Sequence, residues 1–259
     1  MFTLNDHLLH IEGEPLPQDL SAASAHSHLA RGITCRAPVT GTVYGTLLND
    51  RAALAALGDE VHSPPYKAPP RAPVLYIKPR NTIAGHGARV TVPGKEGVQV
   101  GASLGIVIGR TATRLSVSEA FDHIAGYTIV ADLSVPHTSL YRPSVRFRAR
   151  DNFCVIGPTV VSRRHVSNPD DLSISVSVDG AAPYTASTST SVRGVAQLLA
   201  DVTDFMTLSA GDVITLGVPH GAPVVNAGAR AILAIDDWAP LSIDFIALQT
   251  TQTPQGAQA

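Results

Sequence analysis

The stretch Val98 to Arg110, Val-Gln-Val-Gly-Ala-Ser-Leu-Gly-Ile-Val-Ile-Gly-Arg, constrains this chain more than any other. Its second half holds Ile106-Val107-Ile108, a β-branched apolar run too short for an ordinary helix, so a buried strand is expected there. In its first half Gly101 and Ser103 alternate with Val100, Ala102 and Leu104. A period of two sends Gly101 and Ser103 to one face and the apolar side chains to the other. A second strand, Gly126 to Asp132, ends in a carboxylate. A carboxylate closing an otherwise apolar strand requires a partner, a metal ion or solvent. The two stretches predict a chain built on β-structure, with chemistry on the first half of the first strand and core on the second.

With 259 residues, 44% of them hydrophobic, the chain can bury one large β-rich domain or two small ones. A net charge of −2 offers no global basic surface to nucleic acid. No apolar run approaches the roughly 18 residues of a membrane span. Met1 to Glu14 lacks the basic-then-apolar order of a signal peptide. Two cysteines, Cys35 and Cys154, make no disulfide framework, so a reducing cytoplasmic setting is expected.

Thr40 to Leu48 and Val74 to Lys78 read as strands, joined through a short helix from Arg51 with an Asn49-Asp50 cap and a Gly58 stop. The prolines between His62 and Pro73 demand a rigid extended segment. Ser116 and Glu119 have the spacing of a capping box for a helix to about Ile124. Leu172 to Val178 should turn at Asp179-Gly180 into a hairpin toward Tyr184. Ser191 to Met206 carries apolar residues at helical spacing. Val213 to Val218, Ala229 to Ile235 and Ser242 to Leu248 read as further strands, and the tail 249–259 as disordered. Arg146, Arg148 and Arg150 alternate with Phe147 and Ala149, which on a strand puts three guanidinium groups on one face. Such a stripe either grips a di- or tricarboxylate bidentately or is a solvated face or subunit contact.

Lys78-Pro79-Arg80-Asn81-Thr82, Leu104 to Gly109, Gly126-Tyr127-Thr128 up to Asp132-Leu133-Ser134, Ile156-Gly157-Pro158 and Gly211 to Pro219 stand in the order found in the fumarylacetoacetate hydrolase family. The chain resembles that family from about Val43 to Phe245. Within it, Ser63 to Pro70, Ile77 to Thr82, Tyr141-Arg142-Pro143 and Arg150 to Gly157 look like the N-terminal-type half, or separate subunit, of the isomerase/decarboxylase branch that acts in 4-hydroxyphenylacetate (homoprotocatechuate) degradation. The resemblance implies an α+β, mainly β fold, a mixed β-sandwich roll with a few short helices. It divides the chain into an N-terminal extension and small region over 1–72, a catalytic-type domain over 73–248 and the tail.

Members of the family bind Mg²⁺ or Mn²⁺ through a Glu-x-Glu pair on the first strand and an Asp closing the second. Here the pair falls on Gly101 and Ser103, and Asp132 alone remains. A hard divalent cation takes several oxygen ligands with carboxylates among them, so cation binding is expected to be weak or absent. Ala131 stands for the family's Asn before that Asp, and Pro136-His137 for the Arg-Asp after it. Arg148 stands for a lysine, keeping the charge without the ability to act as a neutral base. Val218 replaces the Thr of a Thr-Gly-Thr-Pro turn, and Ala53 and Ala56 stand for the lid His and Glu.

The resemblance makes Lys78, Asp132 and Arg148 candidate catalytic residues, Lys78 by holding a substrate carboxylate or polarising an oxo group. It makes Tyr141, Arg142, Arg146 and His220 candidate substrate-binding residues. The plainer alternatives are a strand-end lysine with a packed stem and wet head, and an aspartate satisfied by backbone amides. His86, His137 and His220 adjoin family motifs and would have to rebuild a metal site with Asp132 or supply an acid/base group. Cys154 reads as a small core residue.

The implied chemistry is decarboxylation of 5-oxopent-3-ene-1,2,5-tricarboxylate and isomerisation of 2-hydroxyhepta-2,4-diene-1,7-dioate, each through an enolate conjugated to a 2-oxo acid. Two alternatives stand beside it: a non-catalytic partner of a metal-bearing sister subunit, and an acylpyruvate-type carbon–carbon hydrolase, which the lost Glu pair disfavours. The partners expected are a small di- or tricarboxylate and either a second copy or that sister subunit, with neither nucleic acid nor membrane.

Overall fold

The structure, a computed structural model, describes residues 34–138 and 144–248, together with the backbone of two short N-terminal strands. In chain order the strands are β1 Phe2–Leu4, β2 His7–Leu9, β3 Val43–Leu47, β4 Val74–Lys78, β5 Ile83–Ala84, β6 Ala88–Val92, β7 Val98–Ile108 and β8 Ile124–Ser134. Then come β9 Cys154–Ile156, β10 Thr159–Ser162, β11 Ser173–Val178, β12 Tyr184–Ser187, β13 Val213–Thr215, β14 Val224–Val225, β15 Arg230–Ile235 and β16 Leu241–Ala247. Among the described residues three short helices, α1 Arg51–Ala56, α2 Val145–Arg148 and α3 Val195–Thr203, interrupt them. The larger sheet runs β1-β2-β10-β8-β7-β13-β3-β4, with β14 added beside β7, β9 beside β8 and β5 beside β9. The smaller runs β12-β11-β15-β16-β6. Parallel pairs (β13/β3, β5/β9, β16/β6) among antiparallel ones make this the expected mixed, mainly β roll. The sheet takes β3 in between β13 and β4, so residues 43–47 are built into it.

β7 and β8 form its spine, antiparallel, with Gly101 opposite Asp132 and Ser103 opposite Val130. The period-two reading holds along both. Val98, Val100, Ala102, Leu104 and Ile106, with Tyr127, Ile129, Ala131 and Leu133, pack into one core with Ile174, Leu233, Ile243 and Phe245 of the smaller sheet. Each such large side chain contributes about 1.5–3 kcal/mol on burial. On the opposite face Val107 and Val130 meet Val43, Cys154, Ile156, Val160 and Val213. Both faces are therefore dry, and Asp132, on the second of them, depends on protein groups for its partners.

Several expected elements form as read. Asp50 caps α1 by accepting the Ala53 N–H at 2.9 Å, and Asp179 and Gly180 turn the β11–β12 hairpin at positive φ. Others are shorter. α3 does not begin at Ser191, because Asn49 holds the next two residues in a bend by accepting the N–H groups of Val192 (2.8 Å) and Arg193 (2.9 Å). The helix starts after Gly194, where Asp170 accepts the Val195 N–H at 2.7 Å. β13 stops at Thr215, since Gly217 (φ 112°) bends the chain toward Ser103. Glu119 does accept from Ser116, at 2.9 Å to its N–H, but only a 3-10 turn, Ala120–His123, follows. The tail 249–259 lies outside the described residues.

Candidate functional site

The site begins on β4, where alternation places Tyr76 and Lys78 on one face. Tyr76 stands opposite Gly45 of β3, and its ring lies across the space that a side chain there would need. Lys78 reaches under it to the end of β8. Its ammonium donates to the carbonyls of Leu133 (2.9 Å), Phe153 (2.9 Å) and Arg148 (3.2 Å). It also lies 2.7 Å from Asp132 Oδ1, each side chain only 1% exposed. An ammonium has three protons and all three go to carbonyls, so the Asp132 contact is an ion pair off the hydrogen-bonding direction. The other oxygen, Asp132 Oδ2, accepts the Tyr76 hydroxyl. Arg148 completes the cluster: Nη1 donates to Tyr76 Oη at 3.1 Å, lies 3.7 Å from Asp132 Oδ1, and the guanidinium stacks 4.7 Å over the tyrosine ring.

Burial presses both members of the pair toward neutrality. It lowers Lys78 to about 7, with Cys154 acting to raise it and Arg148 to lower it further. It raises Asp132 to about 6 against the pull of Arg148. The 2.7 Å contact works the other way, and a neutral amine would leave one of the three carbonyls without a donor, so the ammonium–carboxylate form is favoured. Burial pushes the Cys154 thiol, opposite Asp132 in the β8–β9 register, up to about 12, in keeping with a core residue.

The two positions corresponding to the family's glutamates are engaged differently. A Cβ on Gly101 would stand 2.6 and 2.7 Å from the methyls of Val218 and 2.8 Å from the Asp132 carbonyl. The Ser103 hydroxyl donates to Gly217 O (2.8 Å) and accepts from Gly217 N–H (3.1 Å). Among the described residues no three His, Cys, Asp or Glu side chains converge. His86 is buried against Ser242, His137 is stacked on Phe147 with Nδ1 2.8 Å from Val135 O, and His220 is exposed, its N–H given to Asp50 at 3.1 Å. The histidines therefore do not rebuild a metal site around Asp132. The donor set does not fit a hard divalent cation: one carboxylate, already held by an ammonium and a phenol, beside a filled cradle.

The expected arginine face does not form. Residues 145–148 are a helical turn, α2, in which Phe147 N–H and Arg148 N–H both bond Ser144 O. Phe147 stacking on His137 and the Val135 N–H bond to Phe147 O fold the segment onto the end of β8, which overrides its alternation. The three arginines diverge: Arg146 points to solvent, Arg148 turns in to Tyr76, and Arg150 is half-buried. Tyr141 and Arg142 lie outside the described residues. Of the residues singled out in the sequence, the fold thus brings together Lys78, Asp132 and Arg148 and leaves Arg146 and His220 apart. Tyr76 was missed. The signal for it was its two-residue spacing from Lys78 on a strand.

A curled mixed sheet around one long ribbon, with a charged cluster where its strands open, is the β-roll of the fumarylacetoacetate hydrolase type. Residues 42–249 match the sequence profile of the fumarylacetoacetate (FAA) hydrolase C-terminal family, and the chain belongs to that family. It is 38% identical over 201 residues to the 4-hydroxyphenylacetate degradation bifunctional isomerase/decarboxylase of Escherichia coli, covering 78% of this chain and 46% of the relative. The chain spans about half the length of the curated relatives of this kind that it matches. A 2-hydroxyhepta-2,4-diene-1,7-dioate isomerase from Mycobacterium marinum superposes with a TM-score of 0.66 at 26% identity, over 82% of this chain and 77% of that one. The fumarylpyruvate hydrolase of Pseudomonas aeruginosa, solved with Mn²⁺ and pyruvate, shares the fold (TM-score 0.70, 21% identity, 93% and 95% covered).

Proposed function

We propose that this chain works on a small di- or tricarboxylate with a 2-oxo or 2-hydroxydiene acid end, in the isomerase/decarboxylase chemistry its relatives are named for. The observation that carries the reading is Arg148. Ser144 Oγ takes its Nε (3.1 Å) and Tyr76 one proton of Nη1, while its Nη2 has no acceptor among the described residues. A guanidinium held over a tyrosine ring with an unused donor edge suits a carboxylate. Tyr76 Oη, fed by Arg148 and bonded to Asp132, would take a proton from a substrate hydroxyl as its own passes to Asp132. Lys78 and Asp132, buried behind, hold it there.

In isomerisation a proton leaves the 2-hydroxyl and another is taken up at carbon along the diene. In decarboxylation the bond to the departing carboxylate breaks, its electrons enter the conjugated oxo system and CO₂ leaves. The negative charge on the 2-oxygen in either course meets the Arg148 guanidinium. A cytoplasmic setting and pairing with a second copy belong to the same reading.

A second reading, a partner subunit for a metal-bearing sister, draws on Gly101 and Ser103 standing where the family carries its glutamate pair. The ultraviolet absorbance of 5-oxopent-3-ene-1,2,5-tricarboxylate separates the two. Loss of absorbance with the chain alone, surviving a chelator and abolished in Arg148→Ala, is the expected result. No turnover alone, with an added sister subunit driven beyond its own rate, would replace the first reading with the second.

A further inference from the structure

Three separate contacts fill the ground between β7, β8 and the turn after β13. Gly101, directly opposite Asp132, has the Val218 methyls where its side chain would start; the 2.6 and 2.7 Å separations from a Cβ there lie below any real carbon contact. Ser103 is tied to the same turn by a reciprocal pair of hydrogen bonds to Gly217. At the ribbon's end Asp132 pairs Oδ1 with the Lys78 ammonium at 2.7 Å, without a hydrogen bond, and takes the Tyr76 hydroxyl on Oδ2, and Tyr76 fits there only because position 45 is glycine.

These contacts depend on one another. A larger residue at 101 needs a smaller one at 218, and a free Asp132 needs Lys78 and Tyr76 elsewhere. We infer that the divalent-cation position of this fold has been closed as a unit in this chain, by the matched pair Gly101 and Val218 and the Ser103–Gly217 bonds, with the Lys78 ammonium as the resident positive charge, so that the site engages its carboxylate ligand without Mg²⁺ or Mn²⁺. The inference deepens the function proposed above, but it is tested on the cation and on packing rather than on turnover, so either can fail alone.

The first arm titrates the purified chain with Mn²⁺ and follows the six-line electron paramagnetic resonance signal of the free ion. The signal in the presence of wild-type protein is expected to match that of Asp132→Asn and of buffer. Stoichiometric loss of signal with wild type that Asp132→Asn abolishes would overturn the inference. The second arm needs no metal and uses small substitutions that keep the fold. Gly101→Ala should lower the melting temperature by several degrees with Val218 present, and Val218→Ala should recover the part due to its methyls in the double variant, leaving the part due to the Asp132 carbonyl, 2.8 Å from the new Cβ. Gly101→Ala without cost, or a double variant whose losses simply add, would show that the two residues do not close the site together.

Discussion

The ring of Tyr76 lies across Gly45, its partner on the neighbouring strand, so that a Cβ on Gly45 would overlap the ring. That vacancy lets the tyrosine hydroxyl reach Asp132, with Arg148 over the ring. Gly45→Ala should therefore cost about 1–3 kcal/mol, the usual penalty for overpacking. Chemical denaturation measures the loss, and a shift of the Tyr76 ring resonances would report that the phenol has left Asp132. A cost no larger than that of an exposed glycine replacement would mean that the ring does not depend on this space.

The Lys78–Asp132 pair predicts strongly coupled substitutions. Lys78→Met strands a buried carboxylate and should cost about 3–5 kcal/mol. Adding Asp132→Asn, which removes the stranded charge, should return a large part of it, and urea unfolding of the four proteins gives the coupling directly. The pH dependence has a definite sign. Burial pushes Asp132 up to about 6 from 3.8, and without the ammonium at 2.7 Å to oppose it the neutral carboxyl becomes the better-tolerated form in Lys78→Met. The deficit of Lys78→Met relative to wild type should shrink as pH falls through that range and grow as it rises.

Arg148→Lys keeps the charge but loses the stacking on Tyr76 and the planar donor edge. If Arg148 receives the developing negative charge, kcat/KM for the tricarboxylate should fall by about 100-fold while the circular dichroism is unchanged. Equal activity in the two proteins would remove Arg148 from the proposed chemistry.

Both cysteines are buried and neither is in a disulfide, and Cys154 is buried completely. With its thiol pushed up to about 12, Cys154 should not react with Ellman's reagent in the folded protein. Two thiols per chain should titrate after unfolding. Rapid reaction of Cys154 in the native state would contradict the dry face on which Asp132 also sits.

Local chemistry was enough to reveal the ribbon. Alternation along Val98–Ile108 and Ile124–Ser134 reports which side chains share a face, and the run Ile106-Val107-Ile108 reports that this end is core. The Asp50 cap and the Asp179-Gly180 turn were equally plain, because their bonds and dihedrals lie within a few residues. The identities of Lys78, Asp132 and Arg148 also stood in the sequence. Their roles did not. Arg148 leaves its expected strand because Phe147 finds His137 and Val135, and Tyr76 becomes part of the site because Gly45 faces it across a strand pair. Val218 meets Gly101 only after β13 has come back alongside β7. Periodicity and capping are properties of neighbouring residues and can be read in one dimension. Which glycine is filled, and by whose methyl groups, is set by packing between segments far apart in the chain, and only the folded protein brings those surfaces together.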